Sequence, residues 1–221
     1  LTVVPAGRCR EAGLDRSLLS SYGHDDRVCA YAELEALFSL DMPEKTAVCI
    51  LADKEEIGSV GISGMQSHYF EHFMEGLCDA QGVKLSDCFA NSFCLSADVS
   101  NAFDPNWPET CDKRNNSQLN YGVAICKYTG SRGKGGASDA SAEAMGHVRS
   151  TLDKAGVIWQ IATLGKVDQG GGGTVAAYMA NRNIVTVDAG VPVLSMHAPL
   201  ELVSKLDCYE TMLACKAIYL A

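Results

Sequence analysis

No apolar run in this chain approaches the ~18 consecutive residues of a membrane-spanning helix, so a helical membrane protein is excluded. Positive charge is also short. Against 27 Asp and Glu stand only 18 Lys and Arg, a net charge of −9. A surface of that sign does not gather phosphates, so nucleic acid is not an expected partner. The ten cysteines form no Cys-x-x-Cys pair, and zinc-finger spacing is therefore absent. Neither glycine-rich loop continues into Gly-Lys-Ser/Thr, which removes a nucleotide-binding P-loop. No stretch reads as a linker, and the opening residues do not resemble a signal peptide. Leu1-Thr2-Val3-Val4-Pro5 begins in mid-pattern, which reads as a piece of something longer.

What is present suits one large globular domain: 221 residues, 47% hydrophobic and 20% charged. Cys49, Cys94 and Cys126 lie within apolar runs, as buried free thiols do. A chain of this length folds without disulfides, so the expected compartment is reducing, the cytoplasm.

One stretch is costly in physical terms. Thr46–Ala52 is apolar and partly β-branched, which predicts a buried strand, and it runs into Asp53-Lys54-Glu55-Glu56-Ile57-Gly58-Ser59. Two adjacent carboxylates at a buried strand end repel each other and lose water. Such a pair is retained where a cation faces it, and one member can hold a metal while the other moves a proton. The alternative is a solvated loop with two surface acids.

Other acids occur at element ends. Asp25 and Asp26 precede a predicted helix over 28–38, with Val28, Tyr31, Leu34, Glu35 and Phe38 on one side; either Asp suits an N-cap or a ligand. A strand over 91–97 ends in Asp98. Further strands are predicted over 122–128, 157–162 and 184–190. Helices are predicted from the 65–74 segment, with Tyr69, Phe73 and Leu77 on one face and Phe70 and Met74 beside them, over 138–152 with Ala140, Ala144, Val148 and Leu152 at i+4 steps, near 175–181, and over 200–220. Gly130–Gly136 reads as a flexible basic loop, and Gly170–Gly173 as a place of close backbone approach. His68-Tyr69-Phe70-Glu71-His72 fits an inverted zinc-peptidase pattern, but equally the polar side of a helix.

Alternating strands and helices predict an α/β sandwich, in which strand-end groups converge on one sheet edge. Here these are Asp25, Glu55, Glu56, Asp98 and His197. Carboxylates with an imidazole suit zinc, cobalt or manganese.

In order along the chain, Gly23-His24-Asp25-Asp26-Arg27, Asp53–Ser59, Ser96-Ala97-Asp98, Asp168-Gln169-Gly170-Gly171-Gly172-Gly173-Thr174 and Ser195-Met196-His197-Ala198-Pro199 resemble the aminopeptidase I / aspartyl aminopeptidase family of dinuclear metallopeptidases. The resemblance implies a three-layer α/β sandwich with a central mixed sheet, of the phosphorylase/hydrolase-like zinc exopeptidase type. It implies removal of N-terminal residues from peptides, by attack of a metal-bound water activated by Glu55. Asp25 would bridge two divalent ions, zinc first, with cobalt or manganese as alternatives. Glu56 and His197 would share one ion with Asp25, and Asp98 the other. Lys127 and Gly172 fall where the substrate would lie, with Arg132 and Lys134 as further basic candidates. The partners implied are peptide substrates and, in a full-length protein, further copies of the chain.

The pattern departs from the family at one end. An N-terminal His-x-Asp ligand motif and a dimerisation segment are missing from residues 1–221, so the reading is a catalytic domain without them, inactive or crippled alone. The reading from a different class is a remnant of the fold acting as a binding or assembly module.

Overall fold

Val123–Cys126 is buried throughout and pairs on both of its edges, and the rest of the architecture is arranged about it. The computed structural model describes residue 1 and residues 3–221. In chain order the first elements are β1 (Arg10–Ala12), β2 (Leu18–Ser21), α1 (His24–Phe38), α2 (Tyr69–Gln81), α3 (Leu85–Ala90), β3 (Phe93–Ala97) and β4 (Ser100–Asn101). Then come β5 (Val123–Cys126), β6 (Tyr128–Ser131), β7 (Gly135–Asp139), α4 (Ala142–Ala155), β8 (Trp159–Ile161), α5 (Ala176–Ala180), β9 (Val185–Gly190), β10 (Pro192–Leu194), β11 (Glu201–Ser204) and α6 (Lys205–Tyr219).

The fold is α/β with mixed sheets, as expected. One sheet runs β3-β9-β5-β8, with β3 parallel to β9 and β5 antiparallel to it. A second runs β1-β2-β11-β10-β4, and β6 pairs with β7. The two larger sheets meet where β3 passes into β4 and β9 into β10, both pairs parallel. Asp98 sits at this junction, between β3 and β4. The main core packs α4 and α6 on the first sheet: Val123, Ile125, Val148, Leu152 and Val187 are all essentially inaccessible. Each such side chain contributes about 1.5–3 kcal/mol on burial. The i+4 row Ala140, Ala144, Val148 and Leu152 faces this core, as its spacing predicts. Ser141 caps α4 by accepting the Ala144 N–H.

Several expectations need correction. Thr46–Ala52 forms no strand; its residues are half-buried or exposed. An apolar β-branched run becomes a strand only by pairing with another, and Thr46–Ala52 makes no main-chain to main-chain hydrogen bond among the described residues. The last helix starts at Lys205, because Glu201–Ser204 pairs with β2 and β10 instead. In α1 the buried residues are His24, Cys29, Ala32 and Ala36, while Tyr31 and Phe38 face solvent: α6 packs closely, and small side chains permit that approach. In α2 Phe70, Met74 and Cys78 are buried, and Tyr69 and Phe73 are outside. The basic 130–136 segment is the turn of the β6–β7 hairpin.

Candidate metal centre

The chain positions its acids by local devices. Asp25 and Asp26 open α1 with non-helical backbone angles, after Gly23 in the left-handed region. Glu55 and Glu56 lie in a single 3₁₀ turn, Glu55–Ile57. That turn is closed by Gly58 N–H donating to Glu55 O (2.8 Å) and Ser59 N–H to Lys54 O (2.7 Å). Asp98 follows β3, and one of its oxygens accepts the Val99 N–H at 2.8 Å. His197 lies in the turn after β10.

These groups converge. His197 Nε2 is 2.8 Å from Asp25 Oδ2 and 3.1 Å from Glu56 Oε1. Ligand atoms of Asp25, Glu56 and His197 all lie within 4.8 Å of one another, and so do those of Asp25, Asp26 and Asp98. Asp25 belongs to both groups. Asp25, Asp26, Glu55, Glu56 and Asp98 all line one cavity of about 660 Å³.

The electrostatics are those of uncompensated acids. Burial and then the Glu56 charge push Asp25 up to about 6, with His197 pulling the other way. Burial and then the Asp98 charge raise Asp26 well above the carboxylate range. Asp98 is raised well above it too, by burial and then Asp25 and Glu55. Glu55 is raised by burial, Glu56 and Asp25. Among the described residues no Lys or Arg forms an ion pair with any of the five. Asp26 Oδ1 is buried with no hydrogen-bond donor. A buried acceptor left without a donor costs about 1–3 kcal/mol, and a divalent cation would remove that cost and the mutual repulsion together. The carboxylate and imidazole donors fit zinc.

One residue that the sequence alone does not single out organises the centre. Glu201, 2% exposed, accepts the Asp25 N–H on Oε2 (3.0 Å) and the His197 N–H on Oε1 (2.8 Å). The available signal is its place, four residues after His197, but nothing local predicts a strand there. Lys127 lies outside the cavity lining and is paired with Asp139. Gly172 is also outside it, in the glycine loop that packs on the β6–β7 hairpin, where Arg132 N–H donates to Gly170 O (2.8 Å). A Cβ at Gly171 would come within 2.6 Å of Gly130 O, which is why glycine stands there. His68 pairs with Glu71 at the exposed start of α2, and Glu71 also holds Arg182 at 2.7 Å. His68 and His72 enter no ligand group among the described residues.

Residues 1–219 match the family model described as "Aminopeptidase I zinc metalloprotease (M18)". The chain belongs to that family. The "Probable M18 family aminopeptidase 1" of Clostridium acetobutylicum is 50% identical over 96% of this chain and 46% of its own length. The crystal structure of the M18 family aminopeptidase from Thermotoga maritima superposes with a TM-score of 0.94 at 45% identity, covering 98% of this chain and 49% of that one. Aminopeptidase I from Clostridium acetobutylicum gives 0.92 at 48% identity, over 99% and 47%. The chain thus spans about half the length of these M18 relatives.

Proposed function

We propose that this chain is the metal-holding part of an aminopeptidase that removes N-terminal residues from peptides. The observation that carries this reading is the shared carboxylate. Two ligand groups meet at Asp25, and Glu55 stands beside both while belonging to neither. Membership of a family described by both aminopeptidase and zinc supports it.

Asp25, Glu56 and His197 would hold one divalent ion, and Asp25, Asp98 and Asp26 a second. Zinc is the first choice, with cobalt or manganese compatible with the same donors. When bound, the ions polarise the scissile carbonyl and acidify the attacking water. Glu55 takes the proton from that water and returns it to the leaving amine. The acidic cleft draws in the free α-ammonium group of the peptide. Glu201 fixes the two ligand segments relative to each other.

Residues 1–221 then form a unit of one catalytic domain, in a protein that assembles with further copies of itself. Ten unpaired cysteines support a reducing compartment, the cytoplasm. No helix among the described residues is long and apolar enough to cross a membrane.

The test measures zinc stoichiometry and hydrolysis of aminoacyl anilides in the longest natural form. Glu55→Gln should bind zinc normally and lose about 10²–10⁴ in kcat. Absence of hydrolysis in the parent as well as in the variant would leave the module reading standing instead, and undiminished hydrolysis in the variant would remove Glu55 from this role.

A further inference from the structure

β9 sends alternate side chains to opposite faces of its sheet. Val187 and Ala189 enter the core under α4 and α6, so Asp188 between them points to the other side. Strand register sets Ser96 of β3 and Cys126 of β5 directly opposite Asp188, one on each flank. Thr174, which follows the glycine loop, donates its hydroxyl to Asp188 Oδ1 at 2.6 Å. Thr129 of β6 faces the same carboxylate. Asp188, Ser96, Thr129 and Thr174 are each at most 6% exposed.

This buried set is neither neutral nor satisfied. Asp188 forms no ion pair among the described residues. Burial raises its carboxyl to about 6, and the Thr174, Ser96 and Thr129 hydroxyls pull the other way, so it is charged at neutral pH. Ser96 Oγ and Thr129 Oγ1 stand near it yet have no hydrogen-bond partner. A second cavity of about 10 Å³ lies here, lined by Asp188, Thr129, Thr174, Ser100, Cys126 and Asp98 among others, with no Lys, Arg or His. That is room for one particle the size of a water molecule. A water would serve the hydroxyls and leave the buried charge uncompensated, which is the larger cost. Magnesium keeps several of its waters and calcium needs about six to eight oxygens, and the space admits neither arrangement. Burial pushes the Cys126 thiol up to about 12, so it supplies no thiolate for a soft metal.

We propose that this small cavity is a monovalent cation site, which holds one dehydrated sodium or potassium ion between the Asp188 carboxylate and the hydroxyls of Thr129 and Thr174. The ion gives the unpartnered Thr129 oxygen a positive neighbour and cancels the Asp188 charge. It also ties three separate pieces of chain together: the β6–β7 hairpin through Thr129, the glycine loop through Thr174 and the central sheet through Asp188. The site is distinct from the acidic centre, since Asp188 belongs to neither of the two ligand groups there. The inference stands whether or not that centre holds zinc.

The test uses the longest natural form after treatment with a chelator, so that zinc plays no part. Thermal unfolding is followed in sodium, potassium and N-methylglucamine chlorides mixed at one fixed ionic strength, the last cation being too large to enter. Tm should rise saturably as sodium or potassium replaces N-methylglucamine, because the ion binds the folded state alone. Thr129→Val keeps the shape and removes one oxygen, and should raise the half-saturating concentration by about tenfold or more. Asp188→Asn should abolish the rise. Should Asp188→Asn fail to fold, Thr129→Val and a crystal soaked in thallium(I), which replaces potassium, decide the matter: the anomalous peak should lie beside Asp188. Equal Tm in the three salts would overturn the proposal and leave a buried water as the occupant. A rise left unchanged by either variant, or a thallium peak confined to the acidic centre, would overturn it as well.

Discussion

Glu201 accepts the main-chain N–H of Asp25 at 3.0 Å across 176 positions of sequence, and with its other oxygen it holds the N–H of His197. One buried carboxylate thus sets the distance between two segments whose side chains meet at 2.8 Å. Glutamine keeps the shape but replaces one acceptor with a donor, so one N–H is left facing an NH₂ group. Glu201→Gln should cost about 1–3 kcal/mol in chemical denaturation. It should also weaken zinc binding by about 10–100-fold in a chelator competition, as expected when the support of a ligand is removed. A purely structural glutamate would show the first effect without the second.

Asp98 gives a prediction of opposite sign for the two forms of the protein. Without metal its charge is buried beside Asp25 and Glu55. Asp98→Asn removes that repulsion, so the metal-free protein should melt at a higher temperature than the parent. On the proposed reading the same variant also loses a ligand, so it should show a reduced rise in Tm on adding zinc. Asp25→Asn should lose more of that rise, since Asp25 serves both groups. Equal effects of the two substitutions on the zinc-dependent shift would contradict the shared role of Asp25.

The legible part of this centre is the set of charged residues that stand at the ends of apolar runs. Glu56, Asp25, Asp98 and His197 are readable because each follows or precedes a periodic apolar run, and such ends converge in an α/β fold. The core row of α4 is readable for the same reason, its spacing being unbroken. The buried faces of α1 and α2 are not. Spacing alone cannot tell whether a helix turns its large or its small residues toward a neighbour, and in α1 it is the small ones that turn inward: Cys29 packs on the β9–β10 side and accepts the Val191 N–H, and α6 packs closely along the helix. Glu201 is hidden because a strand of four residues has no periodicity to detect. Thr46–Ala52 has the apolar, β-branched composition of a strand, but pairing depends on a partner that the local sequence does not contain.

Glu33 provides a pH signature away from the ligands. It lies on α1 against the cavity, and burial pushes its carboxyl up to about 8, while a hydrogen bond from the Ala97 main chain only partly offsets this. The ordinary value is 4.5. Between the two, the unfolded chain has released its proton and the folded chain has not, so the unfolded state binds fewer protons and stability falls as pH rises. Glu33→Gln removes that dependence. The stability of the variant relative to the parent should grow by roughly 2–4 kcal/mol from about pH 5 to about pH 8. Urea denaturation at intervals across that range measures it, and a constant difference would show that the carboxyl is solvated.

Gly190 separates the two ligand groups by a steric route. It ends β9 opposite Ala124, and a Cβ built on it would lie 1.8 Å from the main-chain oxygen of Asp98. No rotation of a side chain relieves a contact with backbone, so Gly190→Ala must push the β3–β4 junction away from β9. The displacement moves Asp98 out of the group it forms with Asp25 and Asp26. The Asp25, Glu56 and His197 group, held by Glu201 from other elements, is left in place. The expected result is a stability loss of about 1–3 kcal/mol, together with, on the proposed two-ion reading, a fall in zinc stoichiometry from two to one rather than to zero. Gly146 is the control. It lies inside α4, and no atom stands within 4 Å of the place an added methyl would take, so Gly146→Ala meets open space. That substitution should stabilise the protein by about 0.5–1 kcal/mol and leave zinc binding untouched. If Gly190→Ala instead kept both ions, the junction would be free to shift without its ligand, and Asp98 would not be held by the crossing of β3 and β9.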